Sequence, residues 1–128
     1  MSVHRRLRLL VHPWRICINR LPPDTPMADA AAMLPAQGFA SLVRSPDSVT
    51  LVHEILPGAE GDFWRAIEVA GSFAFDETGV LAAIAAPLAD AGISIFAVNS
   101  FETDFVLVQE HDLEHARCVV QDAGHSLG

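Results

Sequence analysis

The segment that most restricts the fold spans residues 92–110, GISIFAVNSFETDFVLVQE. Its two apolar runs, ISIFAV and FVLVQ, are β-branched and aromatic and short enough to be buried strands. The five to seven residues between them predict an antiparallel hairpin with a longer loop. Just upstream, FDETGVLAAIAAPLADAG puts Val80, Leu81, Ile84, Leu88 and Ala91 on one stripe at helical spacing. Asp76 or Thr78 can cap this helix, first-turn acids suit its positive end, and Gly92 supplies the left-handed stop. Pro87, inside the helix, removes one backbone donor and should bend it there. FWRAIEVAG, before the helix, alternates as a strand. EHDLEHARCVVQDAG, after the hairpin, places Leu113, Ala116 and Val120 on one face of a second helix. The resulting β-α-β-β-α order is α+β, one edge strand short of a ferredoxin-like βαββαβ unit.

Residues 54–63, EILPGAEGDF, are the one composition shift, where Pro57, Gly58 and Gly61 interrupt the pattern. They divide the chain into an N-terminal subdomain, 1–60, and a C-terminal subdomain, 61–128. The first half is a weaker copy of the second. LRLLV and WRICINRL read as strands, MADAAAML as a short helix stopped by Pro35, and FASLVR with VTLVHEI as a hairpin around SPDS. Two incomplete units suggest that they lend each other strands. A hydrophobic fraction of 51% in 128 residues is high for a soluble monomer and predicts a face for self-association.

Charge narrows the partners. The net charge is −8 and there is no lysine; Arg5, Arg6, Arg8, Arg15 and Arg20 lie in an acid-free start. The rest sets three arginines against sixteen carboxylates, which argues against a nucleic-acid footprint. The apolar runs are too short to span a bilayer and the start is a poor signal peptide, so no membrane partner and a cytoplasmic location are expected. Cys17 and Cys118 lack metal-type spacing and read as two buried, reduced thiols with nothing beside them to favour a thiolate. His111 and His115, four apart, could share a metal, but no third ligand is evident and no metal is expected. Glu102 with Asp104, or His53 or His125 as a base, can be imagined as acid–base groups. No nucleophile, phosphate loop or cofactor fingerprint accompanies them, so neither an enzyme nor a cofactor is expected.

The residues from ETGVLAAIAAPLADAGISIFAVNSF through ETDFVLVQEHDLEHA form a long gapless pattern. It resembles the ACT domains of the aspartokinase-like group and is similar to small bacterial stand-alone members related to the CASTOR-type arginine sensors. In that group a Glu-x-Gly-Val helix start is followed by Ala-Gly-Ile-Ser-Ile-Phe and by a Ser-Phe-x-Thr-Asp-Phe turn. The resemblance implies paired ACT units and a non-catalytic regulatory role in binding a small amino acid between two domains. Carried over by residue, it makes Glu77, Gly79 and Val80 ligand contacts at the helix start, and Ser100, Phe101, Thr103 and Asp104 ligand contacts in the turn.

Residue chemistry is compatible with this. A free amino acid needs donors beside acceptors. Unpaired amides at a helix start supply the first, and Gly79 lets a carboxylate come close. Asp104, helped by Glu77 or Glu102, supplies the second. The blander alternatives stand beside it: Gly79 only starts a helix, Asp104 caps its own turn, Phe101 is a core or interface aromatic, and Glu102 faces solvent. The turn need not reach the helix start within one unit, so the site would form between two copies. That makes the expected assembly a homodimer with two equivalent sites. An acidic pocket favours a cationic effector such as arginine or lysine. The rival reading of the same fold is a ligand-free ACT scaffold that mediates protein–protein contacts.

Overall fold

The computed structural model describes residues 6–70 and 79–128. Asp76, Glu77 and Thr78 lie outside the described residues. The elements are β1 (Arg8–Val11), β2 (Ile16–Leu21), α1 (Met27–Ala32), β3 (Ala40–Arg44), β4 (Val49–Glu54), β5 (Trp64–Val69), α2 (Val80–Asp90), β6 (Ile95–Asn99), β7 (Asp104–Gln109), α3 (Leu113–Asp122) and β8 (Ser126–Leu127). They are divided between two compact units, Met1–Pro13 with Arg65–Gly128, and Trp14–Trp64.

In the larger unit the strands lie in the order β6-β7-β5-β1-β8. β6 and β7 form the expected hairpin, with Asn99 opposite Asp104, and β1 runs antiparallel to β5 with Leu9 opposite Val69. The α+β, ferredoxin-like architecture is therefore present. The unit closes with a strand that the residue pattern leaves out, β8, which pairs in parallel with β1. β1 itself, from the far N-terminal end, lies between β5 and β8, so one stretch of the first half completes the sheet of the second. The hairpin turn is also tighter than expected, with residues 100–103 between the strands.

Leu9, Ile67, Val69, Val106 and Val108 from the strands pack against Val80, Ile84, Leu88, Leu113, Ala116 and Val120 from α2 and α3. These are the stripes that the helical spacing picks out, and each full burial contributes about 1.5–3 kcal/mol. α2 stops as its sequence dictates: Gly92 has φ +76°, and the Ile93 amide returns to the Leu88 carbonyl at 3.0 Å. α3 begins later than expected, after a 3-10 turn over Glu110–Asp112, so His111 and His115 do not share one α-helix.

The residue after Gly124 is turned inward. His125 is 5% exposed; its Nδ1 accepts the Leu7 amide at 3.0 Å and its Nε2–H donates to the Ala83 carbonyl at 2.8 Å. An acceptor at Nδ1 places the ring proton on Nε2, and both nitrogens are occupied by the main chain. That carbonyl is the one facing Pro87, which has no N–H to offer it.

The smaller unit pairs β2 with β4 and β4 with β3, all antiparallel. Ala30 of α1 packs with Val49 and Leu51, and Leu21, Met27, Leu34 and Leu42 border them. Gly38, at φ +89°, lies against the carboxylate of Glu54, which also accepts the Phe39 amide; a Cβ there would strike that carboxylate.

Candidate functional site

The turn between β6 and β7 is bonded to itself before it can bond anything else. The Ser100 amide and hydroxyl both donate to the Thr103 carbonyl, at 2.8 and 3.0 Å. The Ser100 hydroxyl also accepts the Thr103 amide at 3.1 Å. Serine and threonine favour such turns because their short side chains reach nearby main chain.

Thr103 then ties the turn to the sheet. It is 8% exposed, and its hydroxyl donates to the carbonyl of Val69, the last residue of β5, at 2.5 Å. One unit thus holds the start of β7 against the end of β5. The described chain runs one residue past β5, to Ala70, and resumes at Gly79, the residue preceding α2. The sequence alone carries no sign of this anchor, because its partner is a main-chain oxygen in a remote strand.

Gly79 takes φ +82°, a left-handed conformation that glycine adopts at low cost, and among the described residues no side chain caps the first turn of α2. Its carbonyl accepts the Ala83 amide at 3.0 Å, which opens the helical ladder. The earlier amides of the helix then have no partner within it, and this end carries the positive pole of the helix dipole. Val80 is 4% exposed with its side chain in the core, so what it can offer a ligand is its main chain.

Of the turn residues, Phe101 is 74% exposed and Glu102 is exposed, while Asp104 is half-buried at the first position of β7. Among the described residues no hydrogen bond or ion pair engages the Asp104 carboxylate. Ser100 and Thr103 shape the turn; Asp104 and Phe101 are what it presents. Glu77 lies outside the described residues. The described residues contain no group of three or more His, Cys, Asp or Glu placed to hold a metal, and no described helix is long and apolar enough to cross a membrane.

A sheet flanked by α2 and α3, with a short polar hairpin turn locked to the end of the strand that feeds a glycine-started helix, defines an ACT unit. Residues 60–121 match the family model for the ACT domain, and the chain belongs to the ACT-domain proteins. It is 36% identical over 95 residues to the bovine protein named cytosolic arginine sensor for mTORC1 subunit 1, a match that takes in 72% of this chain and 29% of that one. The chain thus spans less than a third of the length of that curated relative. Among solved structures, protein Atu0741 from Agobacterium tumefaciens superposes with a TM-score of 0.82 at 33% identity, covering 97% of this chain and 93% of that one. Aspartokinase α and β subunits share the fold, with a TM-score of 0.63 at 19% identity over 93% of this chain and 98% of that one.

Proposed function

We propose that this protein is a non-catalytic regulatory module that binds a free amino acid at an ACT–ACT interface, with arginine or lysine as the first candidates. One observation carries the reading: a half-buried carboxylate, Asp104, stands on a turn that Thr103 fixes at the exit of β5. The first-turn amides of α2 would take the ligand carboxylate, and Asp104 would take its ammonium. The arginine-sensor name of the curated relative supports the ligand class, and the regulatory character of ACT domains supports the role. We further propose that two copies pair side by side, each completing the other's site with its 61–128 subdomain.

The test is a thermal-shift and calorimetric screen against the twenty amino acids. A specific effector at a hundred times its Kd stabilises the folded state by about 2.7 kcal/mol. The expected outcome is such a shift for a cationic amino acid, lost in Asp104→Ala while the variant stays folded. Sedimentation should give twice the chain mass. No response to any amino acid at millimolar concentration would overturn the sensor reading and leave the ligand-free scaffold.

A further inference from the structure

His125 stands where α2, α3 and the two outer strands of the larger unit meet. Its own amide donates to the Val120 carbonyl of α3 at 3.1 Å, and the Ser126 amide donates to the Leu7 carbonyl at 3.0 Å as β8 begins. Its ring lies between the Leu7 amide, just before β1, and the Ala83 carbonyl of α2. A ring held this way is satisfied in one protonation state only. Neutral, it accepts at Nδ1 and donates at Nε2. With a second proton, Nδ1 becomes a donor facing the Leu7 N–H, itself a donor 3.0 Å away. The Leu7 amide would then lose its acceptor, and the buried imidazolium would need a counter-charge. The surroundings offer none: among the described residues no carboxylate forms an ion pair with the ring. α2 carries no titratable side chain from Val80 to Ala89, and β8 carries none. On α3, Glu114, His115, Cys118 and Asp122 are exposed and Arg117 is half-buried; Arg8 of β1 is exposed. The charged side chain that runs beside Gly124, the residue before His125, is Arg6, a cation.

From this geometry we propose that His125 is a proton-operated latch: its ring must leave its place to take a second proton, and when it leaves, β8 detaches from β1. The segment is small enough to move alone. Apart from the ring's two bonds, it is tied by the His125 and Ser126 amides and by the Gly128 amide, which donates to the Leu9 carbonyl at 2.7 Å. β1 keeps its other side on β5, so what opens is its outer edge, a row of main-chain groups able to pair with another strand. Proton counting gives the sign. A released imidazole takes up a proton near about pH 6.5, and the latched ring holds one proton fewer. The latch is therefore firmest above that pH, and its opening constant rises about tenfold per pH unit below it. His12, at the far end of β1, acts in the opposite sense. Its Nε2 lies 2.6 Å from the Glu68 carboxylate, and a proton strengthens that pair, so the loosening is confined to the Leu7 end. The device does not depend on the amino-acid reading.

The experiment follows amide hydrogen exchange and the histidine ring resonances of the full chain by NMR as the pH is lowered through the histidine range. Protection factors, corrected for the intrinsic pH dependence of exchange, should fall about thirtyfold for Leu7 and Ser126 over the first one and a half pH units below about pH 6.5. Both should stay below the protection of Val108 in β7, a strand with neighbours on each side, which marks the opening as local. Over the same range the ring of exposed His115 should titrate while the latched His125 ring keeps its neutral signature. His125→Gln, whose side chain offers an acceptor and a donor but takes up no proton, should flatten the Leu7 profile. A His125 ring that titrates alongside His115 while Leu7 keeps its protection overturns the proposal. So does a Leu7 protection that is constant with pH in the wild type, or equally steep in folded His125→Gln. Should that variant unfold, the two wild-type measurements decide.

Discussion

At Thr103 one hydroxyl does the positioning for its neighbours, since the carboxylate of Asp104 goes where the anchored turn sends it. Thr103→Val keeps the shape and removes the donor, leaving the Val69 carbonyl without this bond. Its expected cost is about 1–3 kcal/mol in urea denaturation, with most of the loss absent in Thr103→Ser. Asp104→Asn should behave oppositely, changing the unfolding free energy by no more than about 0.5 kcal/mol while removing any amino-acid response. Gly79 and Asp104 were readable as candidates because their residue types suit a charged ligand and their spacing fits a pattern. The second function of Thr103 was not readable: its partner is a carbonyl 34 residues away, and every residue has a carbonyl. The cysteines, expected to be buried, were misread for a similar reason: Cys118 is exposed on α3 and Cys17 is half-buried opposite His53, placements that helix face and strand register set and sequence spacing does not.

The helices were the most legible elements. α2 and α3 bury the residues their 3.6-residue periodicity singles out, and Gly92 ends α2 in the conformation its position demands. Gly92→Ala, forced to φ +76° with open space around its Cβ, should cost about 1 kcal/mol by conformation alone, read as a lowered Tm. Ile84→Ala, at a fully buried position of α2, should cost about 2–5 kcal/mol. The illegible element was β8. Two residues carry no period, and Ser126–Leu127 is a strand only because β1 offers it an edge. The bend expected at Pro87 rests on chemistry legible from the sequence, whereas the donor to the stranded Ala83 carbonyl is His125, in the connection between α3 and β8.

At the scale of the whole molecule, the larger unit is discontinuous. The family match covers residues 60–121, yet the strand between β5 and β8 comes from residues 8–11. A fragment of residues 60–128 should therefore show fast amide exchange in β5 and β8, and a synthetic peptide of residues 6–13 added in trans should slow it. Unchanged protection in the fragment alone would show that β1 is dispensable. The same remote segments meet at His125, whose ring spans Leu7 and Ala83. Proline in mid-helix commonly costs about 3 kcal/mol, part of it the stranded acceptor one turn back. Here an imidazole from the far end of the chain stands in for the missing amide, so Pro87 and His125 form one repair. Pro87→Ala would give Ala83 a donor of its own and make the ring partly redundant. His125→Gln should accordingly be milder in that background, with a coupling of about 1 kcal/mol in a double-mutant cycle. An engineer replacing the proline for helix propensity, or the histidine to remove a buried polar ring, would be editing half of a matched pair.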